Sequence, residues 1–342
     1  MKGKTMEKIV NEILKAPKVI VLRHIMADPD AIGSQYGLAQ LVIEQGQAKQ
    51  VLIAGDVPST LKELPPFRNS SLSLSEKLLT ESDFEKATVV ILDTSTINRV
   101  DFGPLDFSVL NKAQKVIKID HHPVGLDTHG QPKDNYPKHT IRYQDTSASS
   151  TSEIISNLFE VNTYDISLMS LPISQYLYTG ILGDTGKFSY AISPRTFNTV
   201  ANLIRGFDMK DFTEINHAMS TTTLEEAKMK GYCYDKMVVD DDTANIIISR
   251  EDLNKHNWPA DDMARFVNLL GTVQGITKWM MCVQEEDLSW RISLRSTGII
   301  VNDLAEEYGG GGHPTASGIL LPANSNNMTI IQEIKEKLIS KQ

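Results

Sequence analysis

The sequence predicts an α/β protein with an N-terminal, doubly wound and mostly parallel sheet, followed by a smaller α+β domain. Apolar runs rich in Val and Ile alternate with helical patterns in the first half, which is typical of strands buried on both faces of a parallel sheet. After residue 239 this alternation gives way to strands joined like a hairpin. We therefore expect a first domain over residues 1–205, a helical linker over 206–235 and a second domain over 236–342.

The first domain opens with an amphipathic helix and contains four expected strands. These strands lie near residues 18–22, 50–54, 88–92 and 115–119. A helix over residues 31–46 separates the first two strands, and Gly46 is expected to end it as a left-handed cap. A further helix starts at Ser150, where Ser-Thr-Ser-Glu matches a capping box. The next helix covers residues 172–182.

Ser193 and Pro194 then predict a strong helix start, with Ser as the N-cap and Pro in the first turn. This helix should end at Gly206.

The second domain begins with strands near 245–249, 279–284 and 290–296, and a short polar turn joins the last two. A helix over 299–308, a glycine tract, a strand over 318–321 and a final helix from residue 328 complete the expected elements.

Composition is that of an ordinary globular enzyme. The 342 residues are 41% hydrophobic and 23% charged, and no apolar stretch approaches the roughly 20 residues that span a bilayer. The N-terminus lacks the apolar core of a signal peptide. Cys233 and Cys282 form no CxxC pair, which favours neither a disulfide scaffold nor a zinc ribbon. We expect a cytoplasmic enzyme without a membrane partner.

The net charge of −9 is concentrated in the second half. Residues 211–342 hold 20 acidic residues against 12 Lys and Arg, whereas residues 1–210 hold 23 against 22. A protein that grips long nucleic acid usually carries a basic stripe. The charge therefore excludes long nucleic acid as a partner and favours a small anionic substrate.

Three of the apolar runs end at acidic residues or histidine. The first leads into His24, Asp28 and Asp30, with Pro29 between the two acids. Alternate residues of such a loop can point to different sides, so each acid could serve a different metal ion. Turn formation and helix capping are the alternative for an Asp-Pro-Asp sequence.

The other runs end at Asp93 and at Asp120-His121-His122. Asp93 fits a helix cap as well as it fits a metal ligand, but two adjacent imidazoles beside an acid at a strand end seldom serve packing. Since ligands of open α/β sheets bind outside the carboxyl ends of the strands, these side chains should converge at one edge. A two-metal hydrolytic site can be built in this way.

Four ordered motifs and a glycine signature resemble a known family. HIMADPDAIGS, ILDTS, IDHHP and GILGDTGKF match the motifs of the DHH phosphoesterases, and GGGGHPTASG resembles the signature of the DHHA1 domain. The resemblance covers nearly the whole chain. The size of the chain is similar to that of the compact NrnA-type oligoribonucleases and 3′-phosphoadenosine-5′-phosphate phosphatases. The larger RecJ-like exonucleases carry additional domains.

The resemblance implies two divalent cations, with Mn²⁺ preferred over Mg²⁺ or Co²⁺. It also implies ligands for each cation at defined positions. His24 and Asp28 would bind one ion, and Asp93 would bridge. Asp30, His121 and Asp184 would complete the shell of the second ion. Hard oxygen ligands mixed with imidazole suit these metals.

The resemblance also implies catalytic roles. Asp93 would bind both ions, Asp120 would orient the imidazoles that follow it, and His122 would face the phosphate as an electrophilic stabiliser or proton donor. A hydroxide activated by the two metals would be the nucleophile. The chain offers no GxSxG or Cys/His arrangement for another mechanism. The role of Arg99 is left open.

The second domain is expected to hold the substrate. Gly310, Gly311 and Gly312, which follow Gly309, should lie outside regular elements, where backbone N–H groups can converge on an anion. His313 would add a donor, and Arg295 would clamp a phosphate. A flexible loop and a surface salt bridge are the alternatives.

The resulting hypothesis is a phosphoesterase that degrades RNA of two to five residues and removes phosphate from 3′-phosphoadenosine-5′-phosphate. Hydrolysis of linear or cyclic adenine dinucleotides, such as pApA and cyclic di-AMP, is the alternative with the same chemistry. A nucleotide sensor without turnover is the alternative of another class. The sequence is compatible with a homodimer.

Overall fold

The computed structural model describes residues 2–55, 57, 59–68, 70, 78–124, 133–160 and 169–341. It divides into two compact units, Met1–Thr221 and Thr222–Gln342. The division lies inside the segment 206–235. Within the described residues, no helix combines the length and the apolar character needed to cross a membrane.

Five parallel strands form the sheet of the first unit within the described residues. They are β1 (Lys18–Leu22), β2 (Gln50–Ile53), β3 (Thr88–Leu92), β4 (Lys115–Asp120) and β5 (Ile141–Gln144), in the spatial order β2-β1-β3-β4-β5. The first four strands were expected. The edge strand β5 was not, because its residues are polar or half-exposed and only its pairing with β4 makes it a strand.

Alternate residues of the central strands pack into two cores on opposite faces of this sheet. In β1, Val19 and Val21 join one core and Ile20 and Leu22 the other. Both faces are covered, which confirms the doubly wound arrangement and explains why these strands are apolar throughout.

The described helices of the first unit are α1 (Lys2–Leu14), α2 (Pro29–Gln45), α3 (Ser59–Lys62), α4 (Pro65–Arg68), α5 (Thr151–Glu160), α6 (Leu171–Asp184), α7 (Pro194–Leu203) and α8 (Met209–Ala218), with 3₁₀ turns at Glu81–Phe84, Ile97–Arg99, Phe107–Lys112 and Ile204–Gly206. Ser193 caps α7 through its side chain, as expected.

Two predicted helix ends differ from the structure. Gly46 is extended, with φ −85°, so the left-handed cap is wrong. The chain turns directly toward β2 because the N–H of Gln47 donates to the carbonyl of Leu14 at 2.7 Å. At the start of α5, the Ser150 hydroxyl accepts from the Glu153 N–H as expected. The Glu153 carboxylate, however, accepts from the N–H and hydroxyl of Ser149.

The second unit is a mixed sheet with helices. Its described strands are β6 (Val238–Asp240), β7 (Thr243–Ile248), β8 (Lys278–Gln284), β9 (Trp290–Ser296), β10 (Gly311–His313) and β11 (Ala316–Leu321), in the order β10-β11-β9-β8-β7-β6. All neighbours are antiparallel except β7 and β8. Its described helices are α9 (Leu224–Lys236), α10 (Arg250–His256), α11 (Ala260–Ala264), α12 (Asn302–Glu307) and α13 (Asn327–Ser340), with a 3₁₀ segment at Arg265–Thr272.

The glycine tract forms part of this sheet. Gly311 and Gly312 lie in the edge strand β10 and pair with Gly318 and Ser317 of β11. The expectation that the tract lies outside regular elements is therefore wrong for these two residues. Glycine is needed because Gly312 has φ +143° and because a side chain at Gly310 would collide with the carbonyl oxygen of Gly318.

Candidate metal centre and substrate surface

The six expected ligands meet at the carboxyl edge of the first sheet. His24 follows β1, Asp93 directly follows β3, and His121 directly follows β4. These three strands are neighbours and parallel, so their ends lie side by side. The start of α2 and the end of α6 bring Asp30 and Asp184 to the same edge.

The ligand atoms form two groups, each within 4.8 Å, that could hold a metal ion. The first group is His24, Asp28 and Asp93, and the second is Asp30, His121 and Asp184. The Nε2 atom of His24 lies 3.6 Å from Asp28 Oδ2 and 3.4 Å from Asp93 Oδ2. The Nε2 atom of His121 lies 3.1 Å from Asp184 Oδ2 and 3.5 Å from Asp93 Oδ1. Asp93 therefore presents one oxygen to each group.

The Asp-Pro-Asp sequence caps a helix and also places its two acids in the candidate metal groups. Asp28 is the N-cap of α2, and its Oδ1 accepts from the Ala31 N–H at 2.9 Å, while its Oδ2 lies beside His24. Asp30 is fully buried and belongs to the other group. Helix capping and metal ligation are thus compatible, since they use different oxygens and different residues.

Asp93 has an unusual backbone conformation. Its φ of 55° is left-handed, which is uncommon for residues other than glycine, although Asp and Asn adopt it more readily than most. Its N–H donates to the carbonyl of Ile119 in the neighbouring strand at 3.1 Å. Strain of this kind persists where the surroundings enforce it, and here it accompanies the placement of the carboxylate between the two groups.

The N-terminus of α5 supports both groups, and sequence analysis missed this. The Asp30 carboxylate accepts from the N–H groups of Thr151 and Ser152 at 2.7 and 2.9 Å. The Thr151 hydroxyl donates to Asp93 Oδ1 at 3.1 Å. Gly180 of α6 permits this approach, because a side chain there would collide with Ser152 and Asp30. The only sequence signal was the polar run at the helix start.

The electrostatics of the edge are those of a crowded acidic site. Burial raises the pKa of Asp30, and the neighbouring Asp93 and Asp184 raise it further. Burial likewise raises the pKa of Asp184. For Asp93 burial acts in the same direction, but hydrogen bonds from His121 and His24 outweigh it and lower the pKa.

The imidazoles of His24 and His121 have raised pKa values. Burial disfavours the charged imidazole of His24, yet hydrogen bonds to Asp28 and Asp93 raise its pKa to about 10. Burial also opposes charge on His121, but Asp184 and Asp93 raise its pKa to about 11. The protons on these rings compensate the carboxylates at this edge. An arrangement that attracts protons so strongly, with oxygen and nitrogen donors only, fits divalent cations of the Mn²⁺, Mg²⁺ and Co²⁺ class.

His122 belongs to a different arrangement. Asp120 Oδ1 accepts from His122 Nδ1 at 2.9 Å and from the His122 N–H at 3.1 Å. His122 also forms a third group with Asp93 and His121, but the nitrogen that lies 3.5 Å from Asp93 is the same Nδ1. Because Asp120 already binds that nitrogen, Nε2 remains for contact with a substrate. Asp120 is fully buried, whereas the His122 side chain is 40% exposed.

The expected substrate residues of the second unit lie on or beside an open sheet face. Arg291, Ser293 and Arg295 alternate along β9 and are half-exposed, and with Gly311 and Gly318 they line a cavity of about 760 Å³. At one end of the cavity, Arg291 pairs with Asp261 and Glu285 at 2.6 Å each. Its charge is therefore compensated.

Arg295 is the cation of this face without a carboxylate partner among the described residues. Its Nη1 donates to the carbonyls of Leu294 and Ser317 at 2.9 and 3.1 Å, and burial lowers its pKa. An anion would complete the guanidinium's hydrogen bonding. The part of the chain that the structure describes offers no salt bridge for this arginine.

The expected convergence of glycine N–H groups on an anion is not seen for the first half of the tract. The N–H groups of Gly309 and Gly310 donate to the carbonyls of Glu306 and Ala305, which end α12. His313 is exposed at the end of β10.

Comparisons with known proteins agree with these motifs. The family model "DHH family, N-terminal domain" matches residues 18–181, and the model "DHHA1 domain" matches residues 243–340. The chain is 32% identical to the "Probable bifunctional oligoribonuclease and PAP phosphatase NrnA" of Streptococcus mutans, over 96% of this chain and 98% of that protein.

A second relative and a solved structure extend the comparison. The chain is 25% identical to the "Cyclic-di-AMP phosphodiesterase PdeA" of Listeria monocytogenes, over 88% of this chain but 44% of that protein. The crystal structure of an exopolyphosphatase-related protein from Bacteroides fragilis superimposes with a TM-score of 0.77 at 25% identity, covering 98% of this chain and 96% of that one.

Proposed function

The chain belongs to the DHH family and carries a DHHA1 domain, and from this premise we propose that it is a metal-dependent phosphoesterase of very short RNA and of 3′-phosphoadenosine-5′-phosphate. The cofactors in this proposal are two divalent cations, with Mn²⁺ first and Mg²⁺ or Co²⁺ as substitutes. One observation carries it: two groups of ligand atoms share Asp93 at the carboxyl edge of the sheet.

In this proposal the ligands are those of the two groups. His24 and Asp28 hold one ion, Asp30, His121 and Asp184 hold the other, and Asp93 contacts both. When bound, two cations supply Lewis acidity at the phosphoryl oxygens and lower the pKa of water. Asp30 is held by two backbone N–H groups and Asp93 by the Thr151 hydroxyl, so the ligands are fixed before an ion binds.

His122 acts on the substrate in this scheme. Asp120 accepts a hydrogen bond from the Nδ1–H group and so fixes the ring and its tautomer. The opposite nitrogen, Nε2, lies toward the phosphate, where it stabilises developing negative charge or donates a proton to the leaving oxygen. The half-exposed ring allows this contact.

The second unit would bind the remainder of the substrate. Arg295 offers an uncompensated guanidinium on the open face, and His313 adds an exposed donor at the neighbouring strand end. Two acids, Glu285 and Asp287, line the same cavity. A short substrate can place its phosphate near Arg295, whereas a long strand would meet these acids as well, which favours substrates of two to five residues and disfavours long RNA.

A second candidate is hydrolysis of adenine dinucleotides, linear or cyclic. The similarity to a protein named cyclic-di-AMP phosphodiesterase favours it. Both candidates use the same metal ligands and the same His122, and they differ only in the substrate that the second unit accepts.

A turnover assay with Mn²⁺ tests both candidates. The substrates are 3′-phosphoadenosine-5′-phosphate, pApA, a cyclic adenine dinucleotide and a 24-residue RNA. We expect fast hydrolysis of the first two and slow hydrolysis of the 24-mer. Dominant activity on the cyclic dinucleotide, or on pApA with the bisphosphate ignored, would make the second candidate correct. Nucleotide binding by calorimetry without any product would instead indicate a sensor.

A further inference from the structure

A buried lysine interrupts the apolar strand β4. Its neighbours Val116, Ile117 and Ile119 lie in the cores on either side of the sheet, and the Lys118 side chain is itself only 3% exposed. Placing an ammonium group in such surroundings is costly unless it has partners. Neither of the two metal groups includes this residue, so its function lies elsewhere.

The partners of Lys118 are two acids and a carbonyl. Its Nζ donates to the carbonyl of Ser95 at 3.0 Å, and it lies 3.3 Å from Asp120 Oδ2 and 3.8 Å from Asp134 Oδ2. Asp134 has a closer cation, because Arg142 binds both of its oxygens, at 2.8 and 3.1 Å. Among the described residues, no other Lys or Arg pairs with Asp120. Lys118 is therefore the counter-charge of Asp120.

The two oxygens of Asp120 thus have separate functions. Oδ2 lies against Lys118, and Oδ1 accepts from His122 Nδ1 at 2.9 Å. The ammonium on one side fixes the rotation of the carboxylate and thereby the direction of the hydrogen bond on the other side. The bond to Ser95 connects the same ammonium to the loop that follows Asp93.

We propose that Lys118 is a positioning residue that acts through Asp120 to hold His122 in the Nδ1–H tautomer, with Nε2 directed to the substrate. The inference rests on the proposed function of His122 in phosphoester hydrolysis. Its sequence signal is a charged residue that stands between the apolar positions Ile117 and Ile119 of the strand.

Loss of the ammonium should affect catalysis and leave metal binding intact. Without a cation at Oδ2, the Asp120 carboxylate keeps only its contacts to His122 among the described residues, so its orientation is less restricted and the ring of His122 exchanges tautomers more readily. Loss of a residue that orients another functional side chain typically reduces activity about 10–100-fold. The six metal ligands keep their own contacts, which do not involve Lys118.

The test compares Lys118→Met and Lys118→Gln with Lys118→Arg. Lys118→Gln removes the charge but keeps a donor for Ser95, so it serves if Lys118→Met fails to fold. We expect kcat on pApA to fall about 10–100-fold in both, with KM and Mn²⁺ affinity changed less than about threefold. Lys118→Arg should recover most of kcat. The matched control is Lys115→Met, which makes the same change on the same strand where the lysine pairs with Glu12 instead.

Long-range ¹H–¹⁵N spectra of the histidine rings in the metal-free protein give the second measurement, with His122→Asn to assign the signal. We expect the Nδ1–H pattern of His122 in wild type and Lys118→Arg, and an averaged pattern in Lys118→Met and Lys118→Gln. Unchanged kcat with unchanged spectra would overturn the inference, and so would a loss of kcat that merely follows lost metal affinity or a lower Tm. If the wild type hydrolyses no substrate, the proposed function fails, while the spectra still decide whether Lys118 positions His122.

Discussion

The two units present their candidate functional residues in opposite ways. At the edge of the first sheet, carboxylates and imidazoles from separate segments form groups whose ligand atoms lie within 4.8 Å of one another, and helix α5 holds the buried Asp30 and Asp93. On the open face of the second sheet, glycine backbone, two arginines and the acids Glu285 and Asp287 are among the groups that line the cavity. Among the described residues, Arg291 pairs with acids and Arg295 does not. The first region fits the cations and the second fits the anion of the proposed function.

This difference predicts which substitutions the edge of the first sheet and the face of the second sheet tolerate. A buried cluster of acids depends on the identity of each side chain, because each carboxylate has a defined partner. An open face made of backbone depends on the absence of side chains and on one guanidinium. Substitutions at the first edge should therefore change kcat and metal binding, and substitutions on the second face should change KM.

The largest effect is expected from Asp93→Asn, compared with Asp184→Asn. Asp93 faces both groups and Asp184 only one. Since Lewis-acid stabilisation is worth several kcal/mol, Asp93→Asn should lower kcat about 1,000-fold or more. Asn also tolerates the left-handed backbone at this position. Calorimetry should show loss of both Mn²⁺ sites in Asp93→Asn and of one site in Asp184→Asn.

The control for this comparison is Asp106→Asn, which changes an exposed helix-capping acid outside the groups. Two intact Mn²⁺ sites in Asp93→Asn would show that the shared carboxylate is not a ligand.

Arg295→Met should give the next largest effect, on KM. A hydrogen bond to a charged group is worth about 1.5–3 kcal/mol, which corresponds to roughly 10–100-fold in KM for the dinucleotide. Steady-state kinetics should show kcat changed much less. Arg265→Met is the matched control, because Arg265 belongs to the same unit and pairs with Glu226. An equal loss of kcat in Arg295→Met would place this arginine in the chemical step and remove the contrast between the regions.

The backbone character of the second face can be tested with two alanine substitutions. At Gly310 a methyl group would meet the carbonyl oxygen of Gly318, whereas at Gly311 nothing lies within 4 Å. Gly310→Ala should destabilise the second unit by about 1–3 kcal/mol, as overpacking does, and Gly311→Ala by less than about 0.5 kcal/mol. Hydrogen exchange of the β10–β11 pair measures both. Equal protection in the two variants would contradict the close approach.

The last prediction concerns pH and metal binding. Hydrogen bonds to carboxylates outweigh burial and raise the pKa of His24 and His121 to about 10 and about 11. Both rings are therefore protonated at neutral pH without metal and must lose a proton to bind one. The apparent Mn²⁺ affinity should increase as pH rises, by about tenfold per unit for each proton released.

Calorimetry at pH 7 and 8, in buffers of different ionisation enthalpy, measures both the affinity and the number of protons. The raised pKa values of Asp30 and Asp184 act in the same direction, since a protonated acid must also release its proton. If the apparent Mn²⁺ affinity does not change with pH or buffer, then the rings of His24 and His121 do not release protons when Mn²⁺ binds.

Much of this molecule was predictable because its strands are buried on both faces. A run such as residues 89–92 has no polar position, so the strand follows from composition alone. The ends of such runs were predictable for the same reason: Asp93 and His121 interrupt an apolar pattern where the chain leaves the sheet. Ser193, which caps α7, was predictable because the cap is a local contact.

The failures have a common physical cause, which is dependence on distant partners. Gly46 is extended because the following residue bonds to Leu14. Strand β10 is mostly glycine, which has weak strand propensity, and β5 is a four-residue segment at the edge of the sheet. Pairing with β11 and β4 decides the conformation of these two segments. Neither partner can be identified from the segment itself.

By itself, the sequence determined the class of fold and four of the five described strands of the first sheet, because these depend on local periodicity. The ends of the apolar runs, together with the motifs that resemble the family, indicated the six side chains expected to bind metal. Only the tertiary structure decided that Asp93 offers one oxygen to each group, that Thr151 supports it, and that Lys118 lies behind Asp120. The relations of Asp93 join residues far apart along the chain, so they depend on the packing of the whole domain. Lys118 and Asp120 are two positions apart on β4, and their pairing depends on the burial of this strand.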